Sequence, residues 1–181
     1  MEHEAGDVLH KFHHGDLDAF EALFRLHQRA VYGWILRIVR NPATADELTV
    51  ETFWRMYRAH ARFEPSRGFE GFARRIATHA ALDWMRRIRT ESRLTDELAS
   101  DPAAAAMGDA AVAAEVRVKT ARAFERLPAK LRVAAVLAVV EERPYKEIAE
   151  ALGISVAAVK LRVFRAVHKL RKDLEAQGIR P

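Results

Sequence analysis

Apolar residues in this chain return at steps of three and four, and no stretch alternates with period two for long, so its core must be built from helix faces. Phe20, Leu23, Phe24, Val31, Trp34, Ile35 and Ile38 make one such stripe, on a helix that the Asp16 carboxylate can cap and that ends before Asn41 and Pro42. Leu48, Phe53, Trp54 and Tyr57 belong to a second helix, from about Ala43 to His60. The breakers within Ala61–Gly68 predict a loop, and Phe72, Ile76, Ala80, Asp83 and Arg87 lie on a third helix from about Phe69 to Arg89. Three long helices on so few residues imply a small bundle. Beyond it, a helix from about Asp109 to Leu127 meets Pro128, which suits the first turn of the next, Pro128–Val140. Pro144 opens a short helix, Tyr145–Leu152, and Ser155 can cap a last one reaching about Ala176. The predicted class is all-α, with two small helical domains joined by a flexible acidic linker.

Charge places that linker. Residues 1–54 carry nine acids and five bases, 55–93 carry ten Arg and four acids, 94–116 carry five acids and neither Lys nor Arg, and the remainder carries fifteen bases against seven acids. The acidic, Ala-rich stretch holding Pro102 and Gly108 reads as a junction between two basic bodies. The expected domains are therefore 1–92 and 109–181, with the linker over 93–108. The formal charge of +5 on 181 residues averages these parts; it tilts toward anionic partners, and the length leaves no room for a large barrel enzyme. With no Cys, a disulfide scaffold, a thiolate nucleophile and Cys-ligated zinc are excluded. The longest apolar run, Val133–Val140, is far short of the ~20 residues that span a bilayer. The first residues lack the basic-then-apolar pattern of a signal peptide. A soluble, cytoplasmic protein without membrane insertion is expected.

Tyr145–Arg162 has the layout of a helix-turn-helix. Ile148, Ala149 and Leu152 form the inner face of its first helix, small Ala149 lets the helices approach, and Gly153 can take the positive φ of the turn. On the second helix Val156, Val159, Val163, Ala166, Leu170 and Leu174 make the apolar stripe. That leaves Ala157, Ala158, Leu161, Arg162 and Arg165 outward near its start, where a recognition helix meets base edges and phosphates, with Lys160 beside them. A helical hairpin with a solvated basic face is the plainer reading, but small Ala side chains in the first exposed turn clear room for a duplex.

The amino-terminal bundle is basic in another way. Arg55, Arg58, Arg62, Arg67, Arg74, Arg75, Arg86, Arg87, Arg89 and Arg93 are interleaved with Phe63, Phe69, Phe72 and Trp84. Cations that follow a backbone beside rings that stack on unpaired bases suit single-stranded nucleic acid. Aromatics at helical spacing are also core material, and Phe72 with at least one other ring is expected inside.

In order and spacing, Gly15–Phe24, Asn41–Phe53, Phe69–Ala77, Asp83–Arg87, Leu127–Pro128 and the helix-turn-helix resemble bacterial RNA polymerase sigma factors of the extracytoplasmic-function group of the sigma-70 family. The resemblance implies a region 2 bundle and a region 4 helix-turn-helix that together give core RNA polymerase its promoter specificity. It implies that Asp46, Glu47, Leu48, Val50, Glu51 and Phe53 dock on the largest polymerase subunit. The minus-ten element would then be held by Arg62, Phe63, Ser66, Arg67, Phe69, His79, Asp83, Arg86 and Arg87, trapping a base flipped from the non-template strand, an extrusion that costs a few kcal/mol. Ser155, Ala157, Ala158, Lys160, Leu161, Arg162 and Arg165 would read the minus-thirty-five element as duplex, and Pro128–Val140 would help seat region 4 on the flap of the second-largest subunit. Many relatives are held by an anti-sigma factor, so such a partner is implied; no cofactor and no metal is. Some positions depart from the family pattern: Val50 stands where Gln is common, His79 where Asn is frequent, Phe72, Ala73 and Arg74 where Trp, Leu and Tyr are usual, and Leu161 where Ser is common. The linker, about fifteen residues reaching ~50 Å, would let both bodies straddle a promoter.

Two other readings stand against this one. A two-domain regulator explains the carboxy-terminal hairpin but not the ordered amino-terminal motifs. His10, His13 and His14 near Asp16 could offer metal ligands to a hydrolase, but no downstream carboxylate constellation accompanies them. Neither a phosphate-cradling Gly-rich loop nor a nucleophile–base arrangement is present, so catalysis by this chain is not expected.

Overall fold

A computed structural model describes residues 2–94 and 109–179, with side chains described for 6–90 and 114–179. Among the described residues there is no strand, and the helices run α1 (Glu2–His13), α2 (Leu17–Val39), α3 (Pro42–Arg58), α4 (Phe69–Leu94), α5 (Asp109–Glu125), α6 (Ala129–Ala135), α7 (Tyr145–Leu152) and α8 (Val156–Ala176). No described helix is long and apolar enough to cross a membrane. From Thr95 onward the expected linker lies outside the described residues. The chain forms two compact units, one built on residues up to Met85 and the other on residues from Arg86, with Glu150–Gly153 grouped with the first.

In the first unit the caps predicted from sequence fix the helix starts. The Asp16 carboxylate accepts from the Ala19 N–H at 2.7 Å, and the Asn41 side chain accepts from the Thr44 N–H at 3.0 Å. Between α2 and α3 the chain reverses through Arg40, whose φ of 60° is left-handed and whose N–H closes on the Leu36 carbonyl. Pro42 then opens α3, whose Ala45, Leu48, Phe53 and Met56 are buried, as are Leu23, Val31, Ile35 and Ile38 of α2.

The helix α1 was not expected. Its Phe12 is fully buried, with ring centroids 5.4 Å from Phe63, 5.6 Å from Phe69, 6.2 Å from Phe20 and 6.4 Å from Phe72. The segment after α3 makes two single 3-10 turns, His60–Arg62 and Pro65–Arg67, and folds its Phe63 ring into this cluster. His27 lies against Phe69, ring centroids 4.8 Å apart, and its burial lowers its pKa below 6.5, partly offset by Glu70. Above pH 6.5 the ring is neutral in both the folded and the unfolded chain. Below it the unfolded chain takes up a proton that the folded chain resists, so stability falls with pH from 6.5 down to the lower folded value. Urea midpoints at pH 7.5 and 5.5 should therefore differ more for the wild type than for His27→Gln; equal differences would exclude His27 as a source of the slope.

In the second unit Ala123, Leu127, Ala135, Ala166 and Leu170 form a buried cluster, with Phe124, Leu131 and Leu174 packed around it. Arg126 bonds Asp173 at 3.3 Å, and the Lys119 ammonium donates to the Gln177 carbonyl at 3.1 Å, so the last turn of α8 and its cap are tied to α5 and the residue that follows it. The single helix expected over Pro128–Val140 is not continuous as an α-helix. After Ala135 it widens into a π-turn over Val136–Val140, in which the Glu141 N–H reaches back five residues to the Val136 carbonyl at 3.0 Å.

Candidate nucleic-acid interface

The turn before α8 forms as its residues predict. Gly153 has φ +63°, the Ile154 N–H closes on the Ala149 carbonyl at 3.0 Å, and the Ser155 hydroxyl accepts from the Ala158 N–H at 3.2 Å. Ser155 thus serves as the cap of α8 and is itself exposed. Val159, Val163, Ala166 and Leu170 turn inward, which sets the phase of the helix. Ala157, Lys160, Leu161 and Arg165 are then exposed, and Ala158 and Arg162 are half-buried at the edge of that face.

One residue on this face was missed. Phe164 is 69 % exposed, three residues after Leu161 and seven after Ala157, so it continues their line, with the His168 ring 6.5 Å away. The signal was its helical spacing, opposite the buried stripe. From Val156 to Lys172 the helix carries six Lys and Arg and no acid. An apolar ridge with cations on both sides can meet the thymine methyls and phosphates of a major groove.

On α3 the expected docking set divides. Leu48 and Phe53 are core residues, 3 % and 2 % exposed, and cannot form an external ridge. The 100° step per residue instead turns Val50 and Trp54 outward, 66 % and 56 % exposed, with Asp46 and Glu47 exposed beside them. Trp54 stacks at 6.1 Å on Tyr57. Sequence reasoning had placed Trp54 in the helix stripe; its i+4 spacing from Val50 was the signal for the outer face. Glu51 is half-buried, and its carboxylate accepts from Arg55 at 2.6 and 3.1 Å.

The same Arg55 guanidinium donates to Asp83 of α4 at 3.1 Å. Burial works against the charge on Arg55, but the hydrogen bonds to Glu51 and Asp83 outweigh it and raise its pKa. Arg74 is also directed inward: it is buried, lies 4.0 Å over the Trp34 ring and bonds Glu70 at 2.8 Å. The count of ten Arg therefore overstates the outward charge. Arg62, Arg67, Arg86 and Arg87 are exposed, as is Ser66, and Arg67 bridges Glu64 at 2.8 Å. His79 is half-buried and donates from Nδ1 to the Arg75 carbonyl at 2.8 Å. Arg75, His79, Asp83, Arg86 and Arg87 follow the i, i+4 rhythm of one face of α4; Arg75 was missed there.

Phe63 and Phe69, expected among the nucleic-acid contacts, are 1 % and 4 % exposed and pack on Phe12. Phe72 is half-buried in the same cluster. These rings support the segment from inside, while the side chains available at its surface are polar and cationic. Among the described residues no three His, Asp or Glu side chains are grouped to hold a metal ion.

Residues 23–91 match the sigma-70 region 2 model and residues 117–170 the sigma-70 region 4 model. The chain is 36 % identical over 167 residues to the RNA polymerase sigma factor CarQ of Myxococcus xanthus, covering 92 % of this chain and 95 % of that one. The chain belongs to the sigma-70 family: it is an RNA polymerase sigma factor, a DNA-binding regulator of transcription and not an enzyme. Within that family it is a member of the extracytoplasmic-function group, which directs transcription initiation. A relative in that group is the ECF RNA polymerase sigma factor SigW of Bacillus subtilis, 29 % identical over 170 residues, with 88 % of this chain and 91 % of that one covered. Among solved structures, the sigma factor RpoE in complex with the anti-sigma factor NepR from Bartonella quintana shares the fold, with a TM-score of 0.62 and 20 % identity over 86 % of this chain and 96 % of that one.

Proposed function

We propose that the chain binds core RNA polymerase and recognises promoters with a division of labour: residues 1–92 hold the minus-ten element and residues 109–181 read the minus-thirty-five element. The observation that carries this reading is the cation-flanked outer face of α8, free of acids from Val156 to Lys172, on a chain that also carries region 2. The exposed face of α3, centred on Val50 and Trp54 with Asp46, Glu47 and Glu51, meets the largest subunit; the helix opened by Pro128 seats region 4 on the second-largest. Arg62, Ser66, Arg67 and the α4 face from His79 to Arg87 contact the non-template strand, with Phe63 and Phe69 holding the segment from behind. An anti-sigma factor is the regulatory partner, a reading supported by the NepR-bound relative. The site of action is the cytoplasm.

Transcription with purified core polymerase on linear genomic fragments tests this. Defined start sites that core alone does not give, and co-purification with core in the absence of DNA, are the expected results. Duplex binding without either would return the chain to the regulator reading. Leu161 supplies a finer test. An exposed Leu can touch a thymine methyl but cannot hydrogen-bond a phosphate, so Leu161→Ser should shift relative affinity among minus-thirty-five variants by roughly fourfold, about the worth of one buried methyl group. An unchanged promoter ranking would exclude the methyl contact.

A further inference from the structure

We propose that His13 and His60 are positioning residues for minus-ten recognition, joining α1 to the 60–68 segment through a reciprocal pair of hydrogen bonds. The inference rests on the reading of that segment as a minus-ten contact. His13 ends α1, and its Nδ1 lies 2.8 Å from the Phe63 carbonyl. The Nδ1 of His60 lies 2.9 Å from the carbonyl of His13. Both partners are carbonyl oxygens, so both Nδ1 atoms donate. Each ring thus bonds the other's strand of backbone, and removing either leaves one tie out of two.

The place of the bond gives it its consequence. Within the segment the Phe63 N–H closes the first turn on His60 at 3.0 Å, and the Arg67 and Gly68 N–H groups close the second on Glu64 and Pro65 at 3.0 and 3.2 Å. Phe63, with φ −74° and ψ 132°, and the equally extended Glu64 join the two turns. Its ring is held inward by Phe12 and Phe72, and its carbonyl is held by His13. Arg62 precedes this fixed point, and Ser66 and Arg67 follow it, all exposed. Their positions therefore depend on α1, which lies outside the residues matched to region 2.

Gly15 supports the arrangement independently. Its φ is +84°, and a Cβ there would come within 3.1 Å of the His60 ring, so the turn after α1 closes directly on that ring. Of the histidines that suggested metal ligands in the sequence, His13 acts here as a backbone donor. A site that captures an extruded base gains from geometry set before the base arrives, because ordering the segment during capture would cost conformational entropy.

The test uses holoenzyme assembled from core polymerase and the full chain, with a non-template-strand oligonucleotide carrying the minus-ten element mapped from its start sites. His13→Ala is expected to weaken oligonucleotide binding about tenfold, with affinity for core unchanged. His13→Asn places an amide donor near the position of Nδ1 and should restore most of the loss, whereas His13→Leu should not. An oligonucleotide abasic at the flipped position should bind the wild type less well but His13→Ala hardly differently from the intact strand. Wild-type binding by His13→Ala, or equal impairment of His13→Ala and His13→Asn, overturns the positioning role. Arg62→Ala and Arg67→Ala separate the two levels. If they leave oligonucleotide binding intact, the reading of the segment falls, and this inference with it; if they weaken binding while His13→Ala does not, only the histidine pair is excluded.

Discussion

Phe12→Ala should lower the unfolding free energy of the amino-terminal unit by about 3–5 kcal/mol, the range for truncating a fully buried Phe. The site has little means of collapsing around the loss, because four further rings, Phe20, Phe63, Phe69 and Phe72, meet at this one residue from three other parts of the chain. Edge and tilted contacts among them add roughly 0.5–1.5 kcal/mol per pair beyond area burial, and part of that is lost as well. A domain of this size has only ~5–15 kcal/mol in total, so a large fraction is at stake. The measurement is direct, since Trp34, Trp54 and Trp84 are the three Trp of the chain and all lie before Arg86. Tryptophan fluorescence during urea unfolding therefore follows this unit. Leu17, 64 % exposed at the start of α2, is the control, and its replacement by Ala should cost under about 1 kcal/mol. A Phe12→Ala midpoint within error of the wild type would mean that α1 is a dispensable appendage.

Why α1 escaped the sequence, while α7 and α8 did not, follows from where their stability originates. The limits of α7 and α8 are set by local chemistry: Pro144 opens one, Gly153 takes the left-handed turn and Ser155 caps the other. Such signals can be read without knowing the rest of the fold. In α1 the recurrent apolar residues are only Val8, Leu9 and Phe12 among charged and His neighbours. A helix of 12 residues with so narrow a stripe is marginal alone and forms because Phe12 has a cluster to enter. Its partners Phe63 and Phe69 lie more than fifty residues away, so no local pattern announces the pairing.

The misplaced side chains have a related cause. A ring beside arginines satisfies both a stacking platform and a core, and composition does not separate them; burial of Phe63 and Phe69 does. On α3 the motif was legible but its phase was not: of the apolar residues in the expected docking set Val50 faces outward, with Trp54 beside it, while Leu48 and Phe53 are buried. Arg55 and Arg74 looked like parts of a basic surface, yet each has an acid one helical turn away, and those acids hold them. The π-turn after Ala135 is invisible to periodicity because Val136–Val140 is apolar at every step and hides its own register.

The largest effect on DNA is expected at Arg162 and Arg165. Removing both with Ala should weaken binding of region 4 in the holoenzyme to its minus-thirty-five duplex by about 30-fold or more, the sum of two contacts worth ~1 kcal/mol or more each. The two residues follow Leu161 and Phe164 along one side of the apolar ridge that Ala157, Leu161 and Phe164 make, so they sit where a helix laid in the major groove brings side chains to base edges and phosphates. Salt separates those roles. A residue neutralising one phosphate contributes about 0.9 to the slope of log affinity against log salt, so its loss flattens the slope by that amount and weakens all sequences alike. A residue reading a base leaves the slope nearly unchanged and reduces the preference for the correct base pair at one position. Single Ala variants titrated on matched and mismatched duplexes at several salt concentrations assign each Arg to one class. Arg25, exposed on α2 and paired with Glu21, supplies the charge control and should leave duplex binding unchanged. If the double variant keeps wild-type affinity across the salt range, α8 does not present this face to DNA, because six cations without an acid between Val156 and Lys172 could not otherwise lose two of their number silently.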